Sequence, residues 1–191
     1  MAENNLIENG RLVYAKGHWL GARSGLMTTI AADAAVFALR NTSIEELVLA
    51  KFVMDFLTTT PFTAAQGLAF SLYKATAFTV FGAHGGITPV PTRKRVGDHT
   101  LLAEYDAAIA NAAALANLTF TVDLDEPIAT LSTEVAVAAA TGLNQGHVEW
   151  EAGNQIPLTL GTNEGVVVVV QNTMGAAGVG RLYVGADLHR A

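Results

Sequence analysis

The chain predicts an all-β fold, an antiparallel β-sandwich or jelly roll with a long loop and a short helical insertion. Three stretches carry that expectation. Leu182, Val184, Ala186 and Leu188 share one face of the C-terminal segment, and Arg181, Tyr183, Asp187 and His189 share the other. A period of two marks a strand with one buried face, because successive side chains leave a strand on opposite sides. Val166 to Val170 is an unbroken β-branched run, preceded by the turn residues Gly161, Thr162, Asn163, Glu164 and Gly165. Leu118, Phe120, Val122 and Leu124 alternate as cleanly with Thr119, Thr121, Asp123 and Asp125.

Taken in order, residues 1–10 read as an N-terminal arm that ends in the turn residues Glu8, Asn9 and Gly10. Residues 11–191 read as one sandwich domain with an insertion at about 76–116. Arg11, Leu12, Val13 and Tyr14 follow the turn. Gly17, Gly21 and Gly25 then predict an irregular stretch, with strands after it at residues 26–30 and 35–40. Residues 45–57 fit a long strand better than a helix, with Val48, Ala50, Phe52, Met54 and Phe56 on one face. Leu68, Phe70 and Leu72 alternate with Ala69, Ser71 and Tyr73 in another strand.

Residues 81–98 form a long excursion, rich in Gly and Pro, that carries the basic run Arg93, Lys94 and Arg95. Loops of this length inside a domain are usually functional. Residues 101–115 are Ala-rich and predict a helix, with Thr100 as its N-cap. A weaker strand follows at residues 133–140. Val148 and Trp150 face inward between His147, Glu149 and Glu151. The loop at residues 175–180 reads as a β-hairpin connection into the last strand. The total of eight to ten strands suits two packed sheets.

Composition narrows the function. Charged residues make up 15% of the 191 and apolar residues 51%. A charged fraction near 25% is usual, so much of this surface is weakly polar and suited to burial against partners. The net charge of −6 argues against nucleic acid as the main ligand, because phosphate binding needs a basic footprint. With no cysteine, disulfides and thiolate metal sites are excluded. No apolar run approaches the roughly 20 residues of a membrane helix, so no membrane partner is expected. The polar start Met1-Ala2-Glu3-Asn4-Asn5 lacks a signal-peptide pattern, which points to a cytoplasm or a particle assembled there.

Catalytic patterns fail on specific requirements. The glycines at residues 175–180 have the wrong order for a dinucleotide loop, and they lead into a strand, not a helix. His18, His84, His99, His147 and His189 are scattered, without the paired spacing of a metal site. His84-Gly85-Gly86 is shaped like an oxyanion-hole loop, but no nucleophile elbow accompanies it. Asp123 and Asp125 lie on the polar face of a strand, where solvation explains them. No cofactor and no metal is expected. Trp19 and Trp150 read as core or interface anchors before sugar platforms. Three basic residues on an acidic protein suit an acidic protein partner better than a nucleic-acid backbone.

Three segments together resemble a family. They are NGRLVYAKG with SGLMTTIAADAAVFALRNTS, LAFSLYKATAFTVFGAHGGITPVPTRKR, and LTLGTNEGVVVVVQNTMGAAGVGRLYVGADLHR. Their order is similar to that in small virion structural proteins of tailed bacteriophages, of the capsid-associated decoration or cement type. The resemblance implies a non-enzymatic virion protein that binds the major capsid protein and copies of itself, often as a trimer on the head shell. The expected partner-binding residues are Arg93, Lys94, Arg95, His84 and Trp19, with the arm and the 175–180 loop also at contacts. Two other classes compete. A carbohydrate- or receptor-binding sandwich of a tail or head fibre needs exposed aromatics, and only 7% of the chain is aromatic. A cupin-like enzyme needs a histidine cluster in space.

Overall fold

The computed structural model describes residues 6–8, 11–13, 18–89, 91–93, 105–122, 126–135, 145–152, 157–175 and 177–190. Fourteen strands account for most of them: β1 (Leu6–Glu8), β2 (Arg11–Val13), β3 (His18–Arg23), β4 (Ala35–Asn41), β5 (Leu47–Thr60), β6 (Gln66–Phe81), β7 (Pro91–Arg93), β8 (Tyr105–Ile109), β9 (Leu118–Val122), β10 (Ala129–Val135), β11 (Gln145–Glu151), β12 (Leu158–Leu160), β13 (Gly165–Val170) and β14 (Val179–Arg190). No helix occurs among the described residues. All pairings are antiparallel, as the alternating patterns predict.

Two six-stranded sheets form the body. The front sheet runs β11-β5-β14-β3-β7, with β12 extending the β11 edge along β5. The back sheet runs β10-β6-β13-β4-β8, with β9 pairing the second half of β6. β1 and β2 pair antiparallel as a separate two-stranded sheet.

The core between the sheets follows the sequence pattern. Leu182, Val184, Ala186 and Leu188 of β14 meet Val166, Val168 and Val170 of β13 in one buried cluster. Phe37 packs on Phe52 and Phe56 on Phe70, ring centres 5.7 and 4.9 Å apart, and each pair bridges the sheets. Rings at these separations add attraction beyond the area they bury. Trp150 and Val148 pack against this cluster as expected.

Simple alternation fails at one point in β5. Leu47 and Leu49 face the core, yet so do Phe52, Met54 and Phe56. Leu188 pairs with Leu49 and Asp187 with Lys51, which leaves Ala50 as an extra residue. That bulge switches the inward parity of the strand. The predicted face holding both Val48 and Phe52 is therefore split.

Three local expectations are corrected. Residues 18–23 are a strand, not an irregular stretch, because their ladder with β14 runs through Gly21, which lies in register with Gly185. Residues 26–30 are not a strand. They form a corner, with Met27 bonding Gly180 in front and Thr28 bonding Ala112 behind, and Thr29 has φ 52°. The helix expected at 101–115 is replaced by β8 and an irregular run after it. Tyr105, Ala107, Ala108, Ile109 and Ala110 are all buried, a pattern without a 3.6-residue period. Pairing with β4 outweighs the intrinsic preference of alanine for helix.

The glycine loop at 175–180 is also no hairpin, since β13 and β14 belong to different sheets. A methyl group on Gly178 would lie 2.1 Å from Cδ1 of Phe62, and one on Gly180 2.2 Å from Cζ of Phe56. Those glycines let the chain cross between the sheets over two phenylalanine rings. The turn at 161–165 makes a similar crossing from β12 to β13. Asn163 takes a positive φ of 63° there. Buried Asn41 ties the same corner together, its side-chain amide donating to the carbonyls of Glu45 and Leu160.

The sides of the sandwich are closed. On one side, β10 and β11 pack together, with Gly146 against Leu131 and Thr133. On the other, Ile87 bridges to Ile109 beside the β8 edge, and the chain then continues to β7 on the front-sheet edge. Much of the excursion is thus a strap from one sheet to the other.

Candidate binding face

The two sheets differ on their outer faces. Tyr73, Val167, Val169 and Ala35 lie on the outside of the back sheet but are buried. Leu118, Phe120 and Val122 of β9 pack over them. β9 reaches that position because the β6–β9 ladder has two irregularities, between Ala75 and Ala77 and between Phe78 and Val80. Bulges increase local bend and twist, so the ribbon curls back over its own sheet. Phe78 sits 5.7 Å from both Phe81 and Phe120, which closes the roof.

Among the described residues, none covers the outer face of the front sheet. Leu20 is in the core, so Trp19, Gly21 and Arg23 point outward from β3. Gly21 pairs with Gly185, and Gly185 with Val53. A methyl group on Gly185 would lie 2.3 Å from Cζ2 and 2.8 Å from Cη2 of Trp19. The missing side chain is the space in which the indole rests, laid against the backbone of β14. The ring is half-buried.

Beside it runs one cross-strand row: Arg23, Tyr183, Asp55 and His147. The Arg23 guanidinium stacks on Tyr183, 5.5 Å from the ring centre. Asp55 Oδ1 is 2.5 Å from His147 Nδ1. On the far side of Val53, Lys51 pairs with Glu149 at 2.7 Å. Trp19, Tyr183, Arg23, Asp55 and Val53 border an open groove of about 340 Å³. Such a volume is at the small end of the roughly 300–1,000 Å³ typical of ligand sites.

The five residues expected at a partner contact are distributed unevenly. Trp19 lies on the open face. Arg93 ends β7, paired with His18, so its backbone is one residue from Thr92, the ladder partner of Trp19. Lys94 and Arg95 lie outside the described residues, as do His99, Asp123 and Asp125. His84 is elsewhere, against the back-sheet roof, its ring 5.9 Å from Phe81 and its Nδ1 accepting the Gly86 amide at 3.1 Å. Sequence reading missed Arg23, Asp55 and the two glycines. Tyr183 was visible as an outward residue of its strand, but its neighbours become known only when β3 is recognised.

Among the described residues, no three His, Asp or Glu side chains gather as a metal site would require. No described helix is long and apolar enough to cross a membrane. Compared with known proteins, the chain matches no family model, no curated protein and no solved structure.

Proposed function

We propose that this chain is a non-enzymatic structural protein of a virion, of the decoration or cement type. It binds the head shell of a tailed phage, through the major capsid protein, as a homo-oligomer with three-fold symmetry, and it is assembled in the host cytoplasm. The observation that carries the reading is the anchored start of the basic run. β7 pairs with β3, so Arg93 leaves the sandwich at a fixed point on its strapped side. A basic run that starts at a ladder-paired residue, on a chain of net charge −6, suits an acidic patch on a neighbour. Binding of this kind favours the assembled shell over its free subunits by mass action. A body closed on both sides loses little conformational freedom on docking, which favours affinity.

The test is co-sedimentation with emptied heads of the encoding phage. The protein should sediment with heads in a saturable ratio and raise the temperature at which they disrupt. Reversing the run with Arg93→Glu, Lys94→Glu and Arg95→Glu should abolish binding without lowering the melting temperature of the free protein. Heads that sediment without the wild-type protein contradict the proposal. Deleting residues 85–96 is a poor substitute, because it removes both the Ile87 bridge and β7.

A further inference from the structure

We infer that the open face of the front sheet binds a pyranose sugar carrying a carboxylate, with Trp19 as the platform and Arg23 as the anion partner. This inference rests on residues other than the basic run and stands whether or not the chain decorates a capsid.

The platform comes from the glycines. A Gly185 methyl would lie 2.3 Å from Cζ2, 2.8 Å from Cη2 and 3.2 Å from Cε2 of Trp19, so the benzene end of the indole fills the space over the glycine. The five-membered ring extends towards Gly21, whose methyl would lie 3.5 Å from Nε1. An indole laid on backbone has one face covered and the other turned outward. It can accept another flat, partly apolar ring, and the C–H face of a pyranose is one.

The polar groups define the sugar. Arg23 is exposed and held against Tyr183, and it has no carboxylate partner among the described residues. Its planar fork of donors remains available for a bidentate carboxylate. Asp55 is engaged by His147, and Glu149 by Lys51. Arg23 is therefore the one charged side chain bordering the groove that has no ionic partner among the described residues. The carboxylate of an acidic sugar matches that guanidinium. Its ring would stack on Trp19 and its carboxylate would meet Arg23.

The test follows the two indole N–H resonances of ¹⁵N-labelled protein, with Trp150 as the internal control. Methyl β-D-glucuronide should shift the Trp19 signal saturably and leave Trp150 in place. Methyl β-D-glucoside should bind at least about five-fold more weakly, the equivalent of about 1 kcal/mol. Trp19→Ala should lose binding, judged by the remaining amide signals, and Trp19→Phe should retain part of it. Arg23→Gln should leave weak binding and remove the preference for the acid. An unmoved Trp19 signal with the glucuronide overturns the site. Equal affinity for glucoside and glucuronide overturns the role of Arg23. An acetylated tripeptide with a free C-terminal carboxylate that binds as tightly as the glucuronide overturns the assignment to sugar. The shell-binding proposal is unaffected by any of these results, since its test reads heads and the basic run.

Discussion

The outer faces of the two sheets are built from similar strands and end in opposite states. On the back sheet, the outward residues are Val167, Val169, Tyr73 and Ala35, and a curled ribbon covers them. On the front sheet, the outward positions hold Trp19, Arg23, Tyr183, Asp55 and Lys51, and the middle of the face is a pair of glycines. An apolar outer face must be covered, because exposed apolar area costs about 25 cal/mol per Å². β9 supplies the cover at the back. The front face is polar enough to remain open. The difference separates a face that the fold covers with its own ribbon from one that the described residues leave uncovered.

Two glycines, one on each sheet, sharpen this comparison. A methyl group on Gly165 in β13 would lie 1.8 Å from the Leu39 carbonyl oxygen, an atom of the neighbouring backbone. Gly165→Ala must displace β4 or break its ladder, so a loss of about 3 kcal/mol or more is expected in a denaturant titration. A methyl group on Gly185 meets only the end of the Trp19 side chain. Gly185→Ala should keep the fold within about 1 kcal/mol and lift the indole, with a changed Trp19 emission as the readout. Equal losses at the two positions would mean that the front face is as structural as the back.

Acid should act at the corner that joins the sheets. Burial opposes ionisation of Glu164, but the Gly161 amide and the Lys74 ammonium 3.0 Å away outweigh it and lower its pKa. A carboxyl whose folded pKa is depressed stabilises the fold above its ordinary range. That contribution is lost as pH falls through the ordinary range towards the lower folded value. Melting temperature should therefore fall on acidification, and Glu164→Gln should flatten the acid limb of the profile. An unchanged limb would remove Glu164 from the account.

The smallest effect is expected at Tyr105, on the β8 edge of the back sheet. Its hydroxyl is buried and finds no partner among the described residues, and burial raises its pKa. Removing an unpaired buried hydroxyl relieves a desolvation cost. Tyr105→Phe should be neutral or stabilising by up to about 1 kcal/mol, measured by thermal melting. A clear destabilisation would reveal a hydrogen bond to Tyr105.

The sequence carried most of the strands because burial on one face imprints a period of two. β14 and β9 were legible for that reason, and β13 from its unbroken β-branched run after a turn. It was less informative where tertiary contacts decide. Gly21 looks like a strand breaker until Gly185 and Trp19 are seen beside it. The alanines of β8 look helical until β4 needs an edge partner. The parity switch at Ala50 leaves no mark in composition, because both faces of β5 are apolar there. The same limits applied to the candidate site. Trp19 was singled out, but apart from Arg23 on its own strand its companions come from β14, β5 and β11, which lie far apart in the chain. Only their register brings Arg23, Tyr183, Asp55 and His147 into one row.

The most direct measurement is an electron cryo-microscopy reconstruction of phage heads incubated with the purified protein. The account predicts three-fold density on the shell, with the β7 edge against the capsid protein and the Trp19 face turned to solvent. Undecorated heads, or copies seated with Trp19 buried against the shell, would contradict it.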